Sequence, residues 1–162
     1  MLSKPSAGWT TITINNTDIG SASYLDDVPS IILECFTQCL NDMATKPNMP
    51  THLSLTFDAE GYEFGCIIWN DTLYIINNAS NEAPYLNMTE VEVNDLDKFI
   101  VSLAREAYTD IHDNLDDWCR WNTDVEDKTD EEIYRKIYYQ AQLSKLYSLI
   151  ILNETLQKQK DV

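Results

Sequence analysis

The chain has 162 residues, 44% hydrophobic and 10% aromatic, so it can bury a core and lacks the composition of a disordered protein. Its 27 acidic and 11 basic residues leave a net charge of −16, which disfavours direct nucleic-acid binding and anionic membranes and suits cationic partners. The opening MLSKPSAGWTTITINN lacks a signal-peptide apolar region, and no run approaches the roughly 18 apolar residues that would span a membrane, so a cytoplasmic protein with reduced cysteines is expected.

WTTITI (9–14) alternates β-branched residues and predicts a strand, and SASYL (21–25) either extends the sheet or packs over it. Asp26 and Asp27 followed by Pro29 signal a helix start. That helix should run from about Val28 to Met43, with Ile32, Cys35, Phe36, Cys39, Leu40 and Met43 on one face. Three strands follow at 53–59, 62–69 and 73–77, with tight turns at Glu60-Gly61 and Asn70-Asp71. Residues 78–87 read as a loop and 88–93 as a last strand. Asn94 is the expected cap of a second helix that continues to Trp118 or Trp121. Residues 122–128 break the pattern, and Thr129-Asp130-Glu131-Glu132 is a capping box that opens a third helix, to about Lys158.

The order β-α-β-β-β-β-α-α keeps strands and helices largely apart. It predicts an α+β class in one domain over 1–162. An antiparallel meander sheet, with an N-terminal strand-helix unit, should carry two C-terminal helices packed on it.

No catalytic signature is present. Two histidines, His52 and His112, four glycines and no nucleophile motif argue against an enzyme and against a glycine-rich phosphate cradle. His112 and Asp116 share a helix face, but a metal site draws ligands from separated elements, so neither metal nor cofactor is expected.

Charge patterning marks two candidate partner surfaces. One is the end of the second helix and its connector, with Asp110, Asp113, Asp116, Asp117, Asp124, Glu126 and Asp127. Trp118 and Trp121 sit within it at i, i+3 and are either core packing or interface anchors. The other is the tract from Pro47 to Asp97, which contains no lysine or arginine and includes Glu60, Glu63 and Asp71. Surfaces built only for solubility mix both signs, and a one-sign region speeds capture of a cationic partner. The alternative for the tract is buried strand whose few exposed positions happen to be acidic. The third helix is apolar over more than one face, which fits deep packing or a homodimer contact.

Trp9-Thr-Thr-Ile12-Thr-Ile14, then Ser21-Ala-Ser-Tyr24-Leu-Asp26-Asp27-Val-Pro29-Ser-Ile31-Ile32-Leu33, resembles the start of small bacterial immunity proteins of polymorphic or contact-dependent toxin systems. Leu53–Gly61 is similar in character, and the resemblance ends within the first 60–70 residues. It implies a cytosolic, non-catalytic α+β domain that binds a cognate toxin, often a basic nuclease, and occludes or distorts its active site. It carries over no binding residue. The alternatives are an acidic interaction or nucleic-acid-mimic domain, homodimeric through the third helix, and a small metal-dependent enzyme.

Overall fold

The computed structural model describes residues 1–80, 83–121 and 129–160, and for 78–80, 83–86 and 129 the backbone alone. Strands β1 (Trp9–Ile14) and β2 (Thr17–Ser23) form an antiparallel ribbon. Asn15 and Asn16 both take positive φ between them, the backbone that a two-residue hairpin turn requires. Residues 1–3 lie along the free edge of β1, with Leu2 opposite Ile12.

Helix α1 (Val28–Thr45) starts where expected. The Asp27 carboxylate accepts the Ser30 N–H, and Pro29 lies in the first turn. Its buried face carries Ile32, Leu33, Phe36, Cys39 and Leu40. Strands β3 (Ser54–Asp58), β4 (Glu63–Trp69), β5 (Thr72–Ser80) and β6 (Ala83–Val91) follow as an antiparallel meander in that order. Asn70 and Asp71 form the second positive-φ hairpin turn. The fold is therefore α+β, in two antiparallel sheets with helices before and after the meander.

Three boundaries differ from the sequence expectation. Residues 21–23 belong to the separate ribbon, and Tyr24 and Leu25 are exposed beyond it. Residues 78–80 and 83–87, expected in a loop, are strand: β5 runs on to Ser80 and β6 begins at Ala83, with Asn77 opposite Asn87 and Asn78 opposite Leu86. Backbone pairing with a neighbouring strand overrides the poor strand propensity of asparagine and serine. The second helix is two. Asp95, not Asn94, caps α2 (Leu96–Asp113) by accepting the Lys98 N–H. Asn114 then leaves helical geometry, its amide donating to the Asp110 carbonyl, before the short α3 (Leu115–Arg120).

Helix α4 (Thr129–Lys160) packs along α1, α2 and α3. Tyr139 donates to the same Asp27 carboxylate that caps α1, at 2.7 Å. Tyr138 donates to Glu34. The buried Asn153 amide donates to the Leu40 carbonyl at 2.9 Å. These bonds pin α4 to α1 over most of its length.

The ribbon lies over one face of the four-stranded sheet. Gly20, at φ +152°, sits so close to Phe64 that a Cβ there would fall 2.7 Å from the ring. That face carries Leu55, Phe57, Phe64, Cys66, Ile68 and Leu73, all in the hydrophobic core.

Candidate binding surface

The acidic run from Asp110 to Asp117 spans the break between α2 and α3, and its carboxylates find different neighbours. Asp110 accepts the Leu2 N–H at 2.7 Å and lies 2.9 Å from the Met1 ammonium, so it clamps the first residues onto α2. Asp113 contacts His112 at 3.0 Å. Asp116 receives Lys136 of α4 at 2.7 Å, and Asp117 receives Lys4 at 3.0 Å. The Lys136 ammonium holds the Asp116 carboxyl below the usual carboxylate range. Glu131 and Glu132 pair with Arg135 and Arg120. Exposed pairs of this kind add little stability, but they cancel much of the local field.

The helical-side carboxylates of the candidate surface that the structure describes are therefore largely compensated. Of the two alternatives for Trp118 and Trp121, core packing is the one found. Both belong to the core, their rings 5.1 Å apart and inclined at 57°, so neither offers a surface anchor. Asp124, Glu126 and Asp127 lie outside the described residues.

The other candidate region behaves differently. Strand alternation places Ser54, Thr56 and Asp58 of β3, Glu63, Ile67 and Trp69 of β4, Thr72, Tyr74 and Ile76 of β5, and Met88 and Glu90 of β6 on the face opposite the ribbon. Cross-strand register aligns Ser54, Ile67, Tyr74 and Glu90 in one row and Thr56, Gly65, Ile76 and Met88 in the next. Gly65 leaves this row without a side chain, because a Cβ there would fall 1.9 Å from the Leu55 carbonyl oxygen.

Trp69 is 58% exposed and Met88 43%. Ile67, Tyr74 and Ile76 are half-buried between them. None of the five joins the core. Asp58, Glu60 and Glu63 stand at one end of this apolar strip. At the other, Asp71, Glu90 and Glu92 line an open hollow of about 310 Å³ with Thr72 and Asn94. Among the described residues no lysine, arginine or hydrogen-bond donor is paired with the carboxylates of Glu63, Asp71, Glu90 or Glu92. Glu63 thus belongs to this face by register, and Glu60 and Asp71 sit in turns at its two ends.

The sequence reading missed Trp69, Ile67, Tyr74, Ile76 and Met88 as surface residues. The signal was there: β4 and β5 are apolar at both odd and even positions, so the sheet carries apolar side chains on both faces.

The two histidines are far apart. His112 stacks on Tyr108 near the end of α2, while Thr51, beside His52, bonds Asp97 at its start. Among the described residues no three His, Cys, Asp or Glu side chains converge in a way that could hold a metal ion. No helix is long and apolar enough to cross a membrane, again among the described residues.

All four cysteines are free thiols. Burial pushes Cys39 and Cys66 up to about 12 and raises Cys35 and Cys119 as well. A hydrogen bond to Glu34 raises Tyr138 to about 12, and burial raises Tyr139. Unfolded thiols titrate near 8.5. Between that value and about 12 the folded chain holds more protons than the unfolded one, so stability is whole below pH ~8.5 and falls as pH rises. Urea midpoints are expected to decline steadily above pH 9. A flat midpoint up to pH 11 would show that these groups are not buried as described.

No family model matches the chain, and no curated protein or solved structure matches it either.

Proposed function

We propose that the chain is a non-catalytic binding protein that captures a cationic protein domain on the outer face of its β3–β6 sheet. The observation that carries this reading is the contrast between the two acidic regions. Carboxylates on the helical side are ion-paired, whereas among the described residues Glu63, Asp71 and Glu90, around Trp69 and Met88, have no ion pair. An apolar centre with a polar, charged rim is the usual anatomy of a protein interface. The hollow between Asp71, Glu90 and Glu92 suits an inserted lysine or arginine, because three carboxylates that form no ion pair among the described residues favour a cation there.

A toxin domain is the partner class that the resemblance to immunity proteins favours, and a basic nuclease has the right charge. Four free thiols agree with action in a reducing cytosol. Co-expression tests this. The C-terminal domain encoded by the neighbouring reading frame is induced in a host with and without this chain. Restored growth, with a co-purifying complex that Glu90→Lys disrupts, supports the reading. Unrelieved toxicity ends it.

A further inference from the structure

Helix α4 buries Tyr139, Leu143, Leu146, Ile150 and Asn153. Its opposite face carries Ile133, Ile137, Ala141, Ser144, Ser148 and Ile151, all exposed. These six positions fall within one narrow stripe at helical spacing. Ile133 is 54% and Ile137 63% exposed, unusual for isoleucine on a helix. The stripe contains no charge, although the chain carries a net charge of −16.

Both ends of the stripe are charged, with opposite signs. Asp130 continues it at the N-terminal end and Lys158 at the C-terminal end. Among the described residues neither has an ion-pair partner.

We propose that this face is the interface of an antiparallel homodimer, a surface separate from the outer sheet face. Two copies of α4 related by a two-fold axis near Ser144 bring Ile137 of one against Ile151 of the other. The same operation sets each Asp130 beside the opposing Lys158. Ala141, Ser144 and Ser148 at the centre are small and let the helices approach closely. The helix dipoles oppose each other, which favours the antiparallel sense. A two-fold contact needs a self-complementary surface, and the reversal of charge along this stripe supplies one. A cationic partner would be drawn to the acidic sheet, whereas a second acidic chain can approach only across an uncharged face.

Sedimentation of the purified chain from micromolar to millimolar concentration is the test. A dimer is expected. Ile137→Glu should weaken it by about a hundredfold, since it sets a charge in the apolar seam. The side chain is exposed in the single chain, so folding should be unaffected. Asp130→Lys or Lys158→Asp alone should each weaken it by about tenfold, counting both symmetry-related pairs. The two together restore the complementarity and should return the affinity to near the starting value. A chain that stays monomeric throughout overturns the proposal and leaves the face to a different protein. A dimer that Ile137→Glu leaves intact, or a double variant no tighter than the singles, overturns it as well.

Discussion

Trp118→Ala is expected to lower the unfolding free energy by about 3–5 kcal/mol, the range for truncating a large buried aromatic. Trp118 is fully buried and packs on Trp121 beneath α4. Its removal leaves a cavity between α3 and α4 that the pinned α4 cannot easily close. The indole N–H has no hydrogen-bond partner among the described residues. Trp118→Phe removes that orphan donor and keeps most of the ring, so its cost should stay below about 1.5 kcal/mol. Trp69→Ala should behave in the opposite way. Its side chain stands on the open sheet face, and stability should change by no more than about 0.5 kcal/mol. Partner affinity should fall by about 2 kcal/mol, as at a central aromatic anchor. Urea denaturation and titration calorimetry on the same variants read both effects. Equal stability losses at the two tryptophans would refute the assignment of one to core and the other to surface.

The two tryptophan sites show where the sequence was informative and where it was not. Local chemistry was legible. Asn70-Asp71 needs positive φ and forms the turn, and Asp27 ahead of Pro29 starts α1. The start of α4 was also placed, since the helix begins at Thr129 as the Thr129-Asp130-Glu131-Glu132 run predicts. Long-range pairing was not. Nothing in the sequence places Lys4 on Asp117, Lys136 on Asp116 or the Leu2 N–H on Asp110, because each pair joins distant segments. An acidic cluster therefore looked bare in one dimension and is partly neutralised in three. The Pro47–Asp97 tract has no cation of its own, and although Lys98 and Lys160 pair with Asp95 and Asp97 at its end, no ion pair reaches Glu63, Asp71 or Glu90 among the described residues. Asn114 was also opaque. A polar residue inside a helical pattern is common, and only its backbone angles, φ −116° and ψ 26°, show that the helix stops there.

Glu90→Lys is expected to slow association with a cationic partner by about tenfold at low salt, while dissociation changes less. Asp113→Lys alters net charge by the same amount. It lies beside His112, away from the sheet, and should slow association by less than about twofold. The comparison separates a local steering surface from the overall charge of −16. Glu63→Lys and Asp71→Lys should match Glu90→Lys, because they stand at opposite ends of the same apolar strip. Raising salt shortens the Debye length from about 10 Å at 0.1 M to about 3 Å at 1 M. The wild-type association rate should fall over that range and converge on that of Glu90→Lys. Self-association through α4 should respond with the opposite sign, since salt screens the repulsion between two acidic chains. Stopped-flow rates and sedimentation across one salt series therefore distinguish the two surfaces. If Asp113→Lys slows capture as much as Glu90→Lys, steering belongs to the whole molecule and the sheet face has no special part in it.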